Sequence, residues 1–192
     1  RGPNFATVSA CASSTHSLID AFNFIRLGKT NIIVAGGSEA AVNEPGIGGF
    51  NALHALSTRN DDPSTASRPF DKDRDGFVLG EGAGSIILEE LEHALARGAK
   101  IYAELVGSGA TADAYHMTAP HPEGLGAISV MNMTLEDAAM LPTDIDYINV
   151  HGTSTSLGDV AELKAITKVF GENAKLLPCT VTSFRARCRA SR

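Results

Sequence analysis

Long apolar runs are missing from this 192-residue chain, and nothing in it approaches the ~20 consecutive residues of a bilayer-spanning helix. A basic segment followed by an apolar one is absent from its first residues, so no secretory leader is read there. Positive charge is short: the formal net charge is −6, which argues against a nucleic-acid partner, since that needs a basic face. Cysteine is scarce. The three cysteines, at 11, 179 and 188, are too few and too far apart for a disulfide framework, and they lack the paired spacing of a zinc site. A reducing cytoplasm is the simplest compartment. What is present is ordinary globular composition, 43% hydrophobic and 20% charged, enough for one sizeable domain or two small layers.

Strand and helix patterns alternate, which predicts an α/β fold with layered helices. Residues 5–10 read as a short extended run and 12–27 as a helix, whose apolar side is Leu18, Ile19, Phe22, Phe24 and Ile25 and whose C-terminal stop is Gly28. Residues 31–35 read as a buried strand broken by Gly36 and Gly37. The stretch 43–80, rich in Gly, Pro, Asn and Asp, reads as a long loop with one short helix at about 50–55, and loops of that length are usually functional. Strands are expected at 84–88, 101–107, 147–150 and 176–182, and helices at 89–97, 127–140 and 159–170. The last ten residues carry four of the sixteen basic residues and no periodicity, and are expected to be an aberrant tail such as a frameshift or cloning scar. A disordered basic tail is the plainer alternative.

Two segments carry chemistry. In Val8-Ser9-Ala10-Cys11-Ala12-Ser13-Ser14 a thiol stands where an extended run turns into a helix, flanked by small residues that permit a sharp turn. Unpaired amides and the positive dipole at a helix N-terminus favour a thiolate, lowering a thiol from its usual ~8.5. A thiolate attacks an acyl carbon well and leaves well afterwards, which suits acyl transfer. A small buried packing residue explains the segment equally well. In Tyr147-Ile148-Asn149-Val150-His151-Gly152-Thr153-Ser154-Thr155 a strand ends at an imidazole, where α/β folds build their sites. His151 there can donate to a developing enolate or exchange a proton, or be satisfied by neighbouring hydroxyls. Thr153 and Thr155 can hold an amide-bearing substrate arm or cap the loop. Asp159 and Glu162, three apart at a helix start, look like a capping box; for Glu162 a supporting role behind the site is the other option.

Taken in order, Ser9-Ala10-Cys11-Ala12-Ser13-Ser14, Val34-Ala35-Gly36-Gly37-Ser38-Glu39, Ser67-Arg68-Pro69-Phe70-Asp71, Arg74-Asp75-Gly76-Phe77-Val78-Leu79-Gly80-Glu81-Gly82-Ala83-Gly84 and His151-Gly152-Thr153-Ser154-Thr155 closely resemble the elongating β-ketoacyl-[acyl-carrier-protein] synthases of type II fatty acid synthesis, over about residues 1–182. The resemblance implies a thiolase-like α/β/α/β/α fold of two similar repeats, here partly covered: residues 1–99 would be the second part of the N-terminal repeat, 100–182 the first part of the C-terminal repeat, and 183–192 the aberrant tail. It implies a decarboxylative Claisen condensation in which Cys11 takes the acyl chain from acyl carrier protein and His151 helps activate or stabilise the malonyl unit. Thr153 and Thr155 match residues that bond the phosphopantetheine arm, Phe50 a residue lining the acyl pocket, and His116 and Thr118 a loop near the pantetheine tunnel. Phe50 can equally be a core aromatic, and His116 and Thr118 surface-loop residues. A homodimer without metal or redox cofactor is implied, with the strand at 31–35 on the dimer side.

The sequence departs from the family in places. A lysine and a second histidine are expected after Thr182, but Ser183-Phe184-Arg185-Ala186-Arg187 follows, so the chain by itself is expected to be an incomplete, inactive fragment. His54 stands where the family often has an arginine facing the carrier protein. A polyketide-synthase ketosynthase domain is the rival within the fold. A chain-length-factor-like partner lacks the active cysteine, and Cys11 speaks against it.

Overall fold

A computed structural model describes residues 2–175 and 179–181. The chain divides into two compact units. Within the described residues, the first comprises 2–40 and 80–106, the second 41–79 and 107–181.

In the first unit, α1 (Ser13–Arg26) packs against β1 (Ile32–Glu39). β1 pairs antiparallel with β2 (Gly82–Glu89), from Ile32 opposite Glu89 to Glu39 opposite Gly82. The short helix α3 (Leu91–Ala96) follows, with the Glu90 side chain accepting from the Glu92 and His93 amides at its start. α1 stops as expected: Gly28 takes φ +65, and the amides of Gly28 and Lys29 close onto the carbonyls of Ile25 and Phe24, each at 2.9 Å. The predicted apolar side of α1 is half-buried, and its buried centre is Ala21. β1 does not break at its glycine pair. It runs through both, because this is where neighbours come closest: a Cβ on Gly37 would overlap Ser14 Oγ, and one on Gly36 would overlap the Gly84 carbonyl.

In the second unit lie α2 (Glu44–Ala52), α4 (Leu125–Asp137), β3 (Ile148–Val150), α5 (Ser156–Phe170) and β4 (Cys179–Val181). β3 pairs parallel with β4, Ile148 opposite Cys179 and Val150 opposite Val181. Leu135, Val150, Ile166 and Phe170 are buried together, with Met131, Met140, Ile145 and Ile148 against them. This core fixes the end of β3 relative to the start of α5, and the loop between them carries His151.

Three expectations need correction. The strand at 101–107 does not form: the described residues offer it no paired neighbour, and Ile101 to Val106 are exposed. The helix expected at 50–55 begins earlier, at Glu44, because the Asn43 side chain accepts from Gly46 N at 2.9 Å and Pro45 occupies the first turn. Residues 5–8 join no strand, and the extended run reduces to an isolated bridge between Ser9 and Cys11. The tail at 183–192 and the awaited lysine and histidine positions lie outside the described residues.

Candidate active site

The elbow at Cys11 is built by local chemistry. Ala10, just before the thiol, sits at φ +51. For an alanine that left-handed conformation costs about 1–2 kcal/mol, so something must hold it. The Ala12 amide donates to the Ser9 carbonyl and the Ser13 amide to the Ala10 carbonyl, both at 3.1 Å, closing the turn. Ser13 Oγ donates to the Ala10 carbonyl at 2.7 Å and accepts from the Ser9 amide at 2.9 Å. The result is an abrupt start to α1 at Ser13, with Cys11 exposed and outside any disulfide. Among the described residues, then, Cys11 is not buried. Ser9, Ser13 and His16 were missed by sequence reasoning. The small residues around the thiol signalled a tight turn but not which side chains close it.

The second constellation follows β3. His151 is exposed, and its backbone is gripped from behind: Glu162 Oε1 accepts from His151 N at 2.7 Å and Oε2 from Gly152 N at 2.8 Å. The capping-box expectation is thus wrong, because α5 starts three residues earlier than supposed, at Ser156 with Thr155 as its N-cap. Glu162 then lies in the second turn and reaches back to the loop. Gly152, at φ +46 and buried, makes the sharp exit that lets one carboxylate bind two successive amides.

Ser154 takes φ +67 and is fully buried. Its N–H donates to Asp159 Oδ1 at 3.1 Å, its carbonyl accepts from Gly76 N at 3.0 Å, and its Oγ accepts from Arg68 N at 3.3 Å. Turning Ser154 inward brings the hydroxyls of Thr153 and Thr155 to 3.0 Å of each other. Asp159, expected as a cap, is a buried hub. Its Oδ2 accepts from Phe70 N at 2.8 Å and pairs with Arg74 Nε at 2.9 Å. Arg74 Nη2 continues to the Ser156 carbonyl at 2.9 Å and Nη1 to the Asp71 carbonyl at 2.7 Å. No local signal could have revealed this, since the partners come from the distant Arg-Pro-Phe-Asp and Arg-Asp-Gly segments. In the same loop Asp75 accepts from Ser57 Oγ at 2.6 Å and Thr58 N at 2.9 Å and lies 3.0 Å from Arg68. These hydrogen bonds, aided by the guanidinium, hold its carboxyl below the usual range.

The remaining candidates lie on other segments of the chain. Phe50, on α2, is partly exposed and meets Phe77 edge-on at 5.2 Å. His116 and Thr118 are exposed, and His116 Nδ1 accepts from the amides of Thr118 (3.2 Å) and Ala119 (3.1 Å). The His116 imidazole therefore shapes its own turn.

Residues 1–94 match the family described as beta-ketoacyl synthase, N-terminal domain, and residues 102–188 match beta-ketoacyl synthase, C-terminal domain. The chain is 53% identical over 182 residues to a 3-oxoacyl-[acyl-carrier-protein] synthase 2 of Staphylococcus aureus, covering 95% of this chain and 45% of that protein. With 43% identity and a TM-score of 0.87 it superposes on a chain of a type II PKS acyl-carrier protein in complex with its ketosynthase bound to the hexaketide, covering 90% of this chain and 42% of that one. A beta-ketoacyl synthase from Burkholderia phymatum is 48% identical with a TM-score of 0.83, over 86% of this chain and 40% of that one. The chain thus spans less than half the length of each of these relatives.

Proposed function

Because the chain belongs to the beta-ketoacyl synthase family and carries its thiolase-like α/β fold in part, we propose that Cys11 is its acyl acceptor and that the whole protein elongates acyl chains by decarboxylative Claisen condensation. The observation that carries this reading is the exposed Cys11 on a strained elbow at the head of α1. A thiolate there attacks the carbonyl carbon of an acyl thioester. The tetrahedral adduct collapses with loss of the carrier's pantetheine thiolate, and the acyl group stays on Sγ. Malonyl carrier protein then loses carbon dioxide. The electron pair of the broken C–C bond becomes an enolate that attacks the Cys11 thioester, releasing the Cys11 thiolate and 3-oxoacyl carrier protein. The malonyl thioester supplies its own carbanion on decarboxylation, so the chemistry calls for neither metal nor redox cofactor.

His151 is assigned to the enolate oxygen, as a hydrogen-bond donor held by the Glu162 grip on its backbone. The adjacent hydroxyls of Thr153 and Thr155 suit the amides of a phosphopantetheine arm. Phe50 is assigned to the acyl pocket and the loop of His116 and Thr118 to the arm's approach. Acyl carrier protein is the proposed partner, a homodimer the working assembly, and the cytoplasm the compartment. Among the described residues no helix is long and apolar enough to cross a membrane.

A second reading, a ketosynthase of polyketide synthesis, draws on the 43% identity to the chain from the type II complex. The 53% identity to the fatty-acid enzyme favours the first, and the neighbouring genes separate the two. The direct test is to incubate the whole protein, restored to the length of its relatives, with an acyl-carrier-protein thioester or with cerulenin and map the adduct by peptide mass spectrometry. An acyl mass on the peptide bearing Cys11 is the expected result. An adduct on Cys179 instead overturns the assignment.

A further inference from the structure

Among the described residues no extended ladder runs through Cys11, and the residue before it is in a conformation alanine disfavours. What holds it is a run of side-chain bonds from the helix back to the turn. Ser13 Oγ binds the Ala10 carbonyl at 2.7 Å and the Ser9 amide at 2.9 Å. Ser9 Oγ in turn meets His16 Nδ1 at 2.6 Å. His16 is half-buried, and its own amide is fixed in the helix by the Ala12 carbonyl at 2.9 Å. The imidazole is therefore the rigid end of the chain of contacts and Ser9 the end that would otherwise move. Ser9 lies two residues before Cys11 in the same turn, and its carbonyl accepts from the Ala12 amide just after the thiol at 3.1 Å, so a shift of Ser9 carries Cys11 with it.

We propose that Ser9, Ser13 and His16 form a latch that positions the Cys11 thiol, with His16 as a positioning residue that acts through Ser9. The inference rests on Cys11 being the acyl acceptor. Chemically, the latch turns a disfavoured turn into a single populated geometry, so that Cys11 spends its time aimed outward ahead of α1. Loss of one such hydrogen bond shifts a local equilibrium by about fivefold to tenfold, and the reactive population falls accordingly.

The test measures the second-order rate of Cys11 alkylation by iodoacetamide in the 192-residue chain, with the modified peptide quantified by mass spectrometry. S9A and H16A are expected to react about tenfold more slowly at neutral pH. H16N, whose amide can stand in for the ring Nδ1, is expected to return to within about threefold of the parent. T7V removes a different hydrogen bond of α1, from Thr7 Oγ1 to Asp20 Oδ2 at 2.9 Å, and is expected to leave the rate unchanged. Circular-dichroism melts accompany each variant. If H16A is unfolded, S9A carries the decision. A parent-like rate in S9A, or in H16A where it is folded, overturns the latch, as does an equal loss in T7V, which would make the effect general loosening of the helix. If alkylation follows the latch but an acyl-carrier-protein thioester leaves no acyl group on Cys11 of the whole protein, restored to the length of its relatives, the latch stands and the acyl-acceptor reading fails.

Discussion

The grip of Glu162 on the His151–Gly152 backbone invites a quantitative test. One carboxylate accepts two successive amides at 2.7 and 2.8 Å, and hydrogen bonds to a charged acceptor contribute about 1.5–3 kcal/mol each. The two will not weigh equally. His151 is exposed, so in Glu162→Ala its amide can turn to water and the loss there should be about 1 kcal/mol. Gly152 is buried, and its amide, left without a partner, should forfeit about 2 kcal/mol. At 1.4 kcal/mol per tenfold, exchange of the Gly152 amide with solvent deuterium should accelerate roughly thirtyfold, against about fivefold for His151. Glu162→Gln keeps one carbonyl oxygen but turns an amide group toward the other N–H, so it should fall between the parent and Glu162→Ala. The assay is amide exchange by NMR on nitrogen-labelled chain, with the Leu135 and Phe170 amides as core references. Unchanged exchange at Gly152 in Glu162→Ala would refute the claim that this side chain holds the loop, and so would a Gln variant indistinguishable from the parent.

Other outcomes can be checked alongside. Asp159→Ala should destabilise the second unit by about 3–5 kcal/mol in urea titration, because it removes a buried carboxylate that pairs with the half-buried Arg74 guanidinium and accepts from the Phe70 and Ser154 amides; a loss under about 1 kcal/mol would show that the hub is not a unit. Arg97 foremost, and His93 after it, hold the Glu89 carboxyl at about 2 against its ordinary 4.5. This folded-state value lies below the unfolded one, so the interaction is fully present above about pH 4.5 and is lost as the pH falls through about 2. A carboxyl NMR titration of Glu89 should therefore show a midpoint near 2, and a midpoint at the unperturbed ~4.3 would contradict the ion-paired arrangement. Gly37→Ala should disturb α1 against β1, since its methyl would overlap Ser14 Oγ; a melting temperature equal to the parent's would mean that the Ser14 hydroxyl simply turns aside. Lys164→Met breaks the exposed pair with Glu123 at 2.7 Å and should change stability by less than about 1 kcal/mol, a limit that a larger measured loss would exceed.

Much of this molecule could be read before any coordinates. The 3.6-residue pattern and Gly28 bound α1 to within a residue, since amphipathic spacing and a left-handed stop are local properties. Cys11 and His151 could be placed at exposed turns because each lies where small residues lead into a helix. What the letters could not convey is who holds these turns. The glycine pair 36–37 read as a strand break because glycine is a weak strand former, whereas the strand continues and its glycines answer the closeness of Ser14 and Gly84. Asp159 and Glu162 have the spacing of a cap, yet one became a hub for Arg74 and the other a grip on the His151 amide. Sequence spacing alone determined where the thiol and the imidazole stand along the chain and which turns present them. Only the tertiary structure decided which side chains support them: Ser9, Ser13 and His16 close the Cys11 turn from nearby once α1 forms, and Glu162 reaches back from α5, whereas the Asp159 hub draws Phe70 and Arg74 from a distant segment that meets it only through packing.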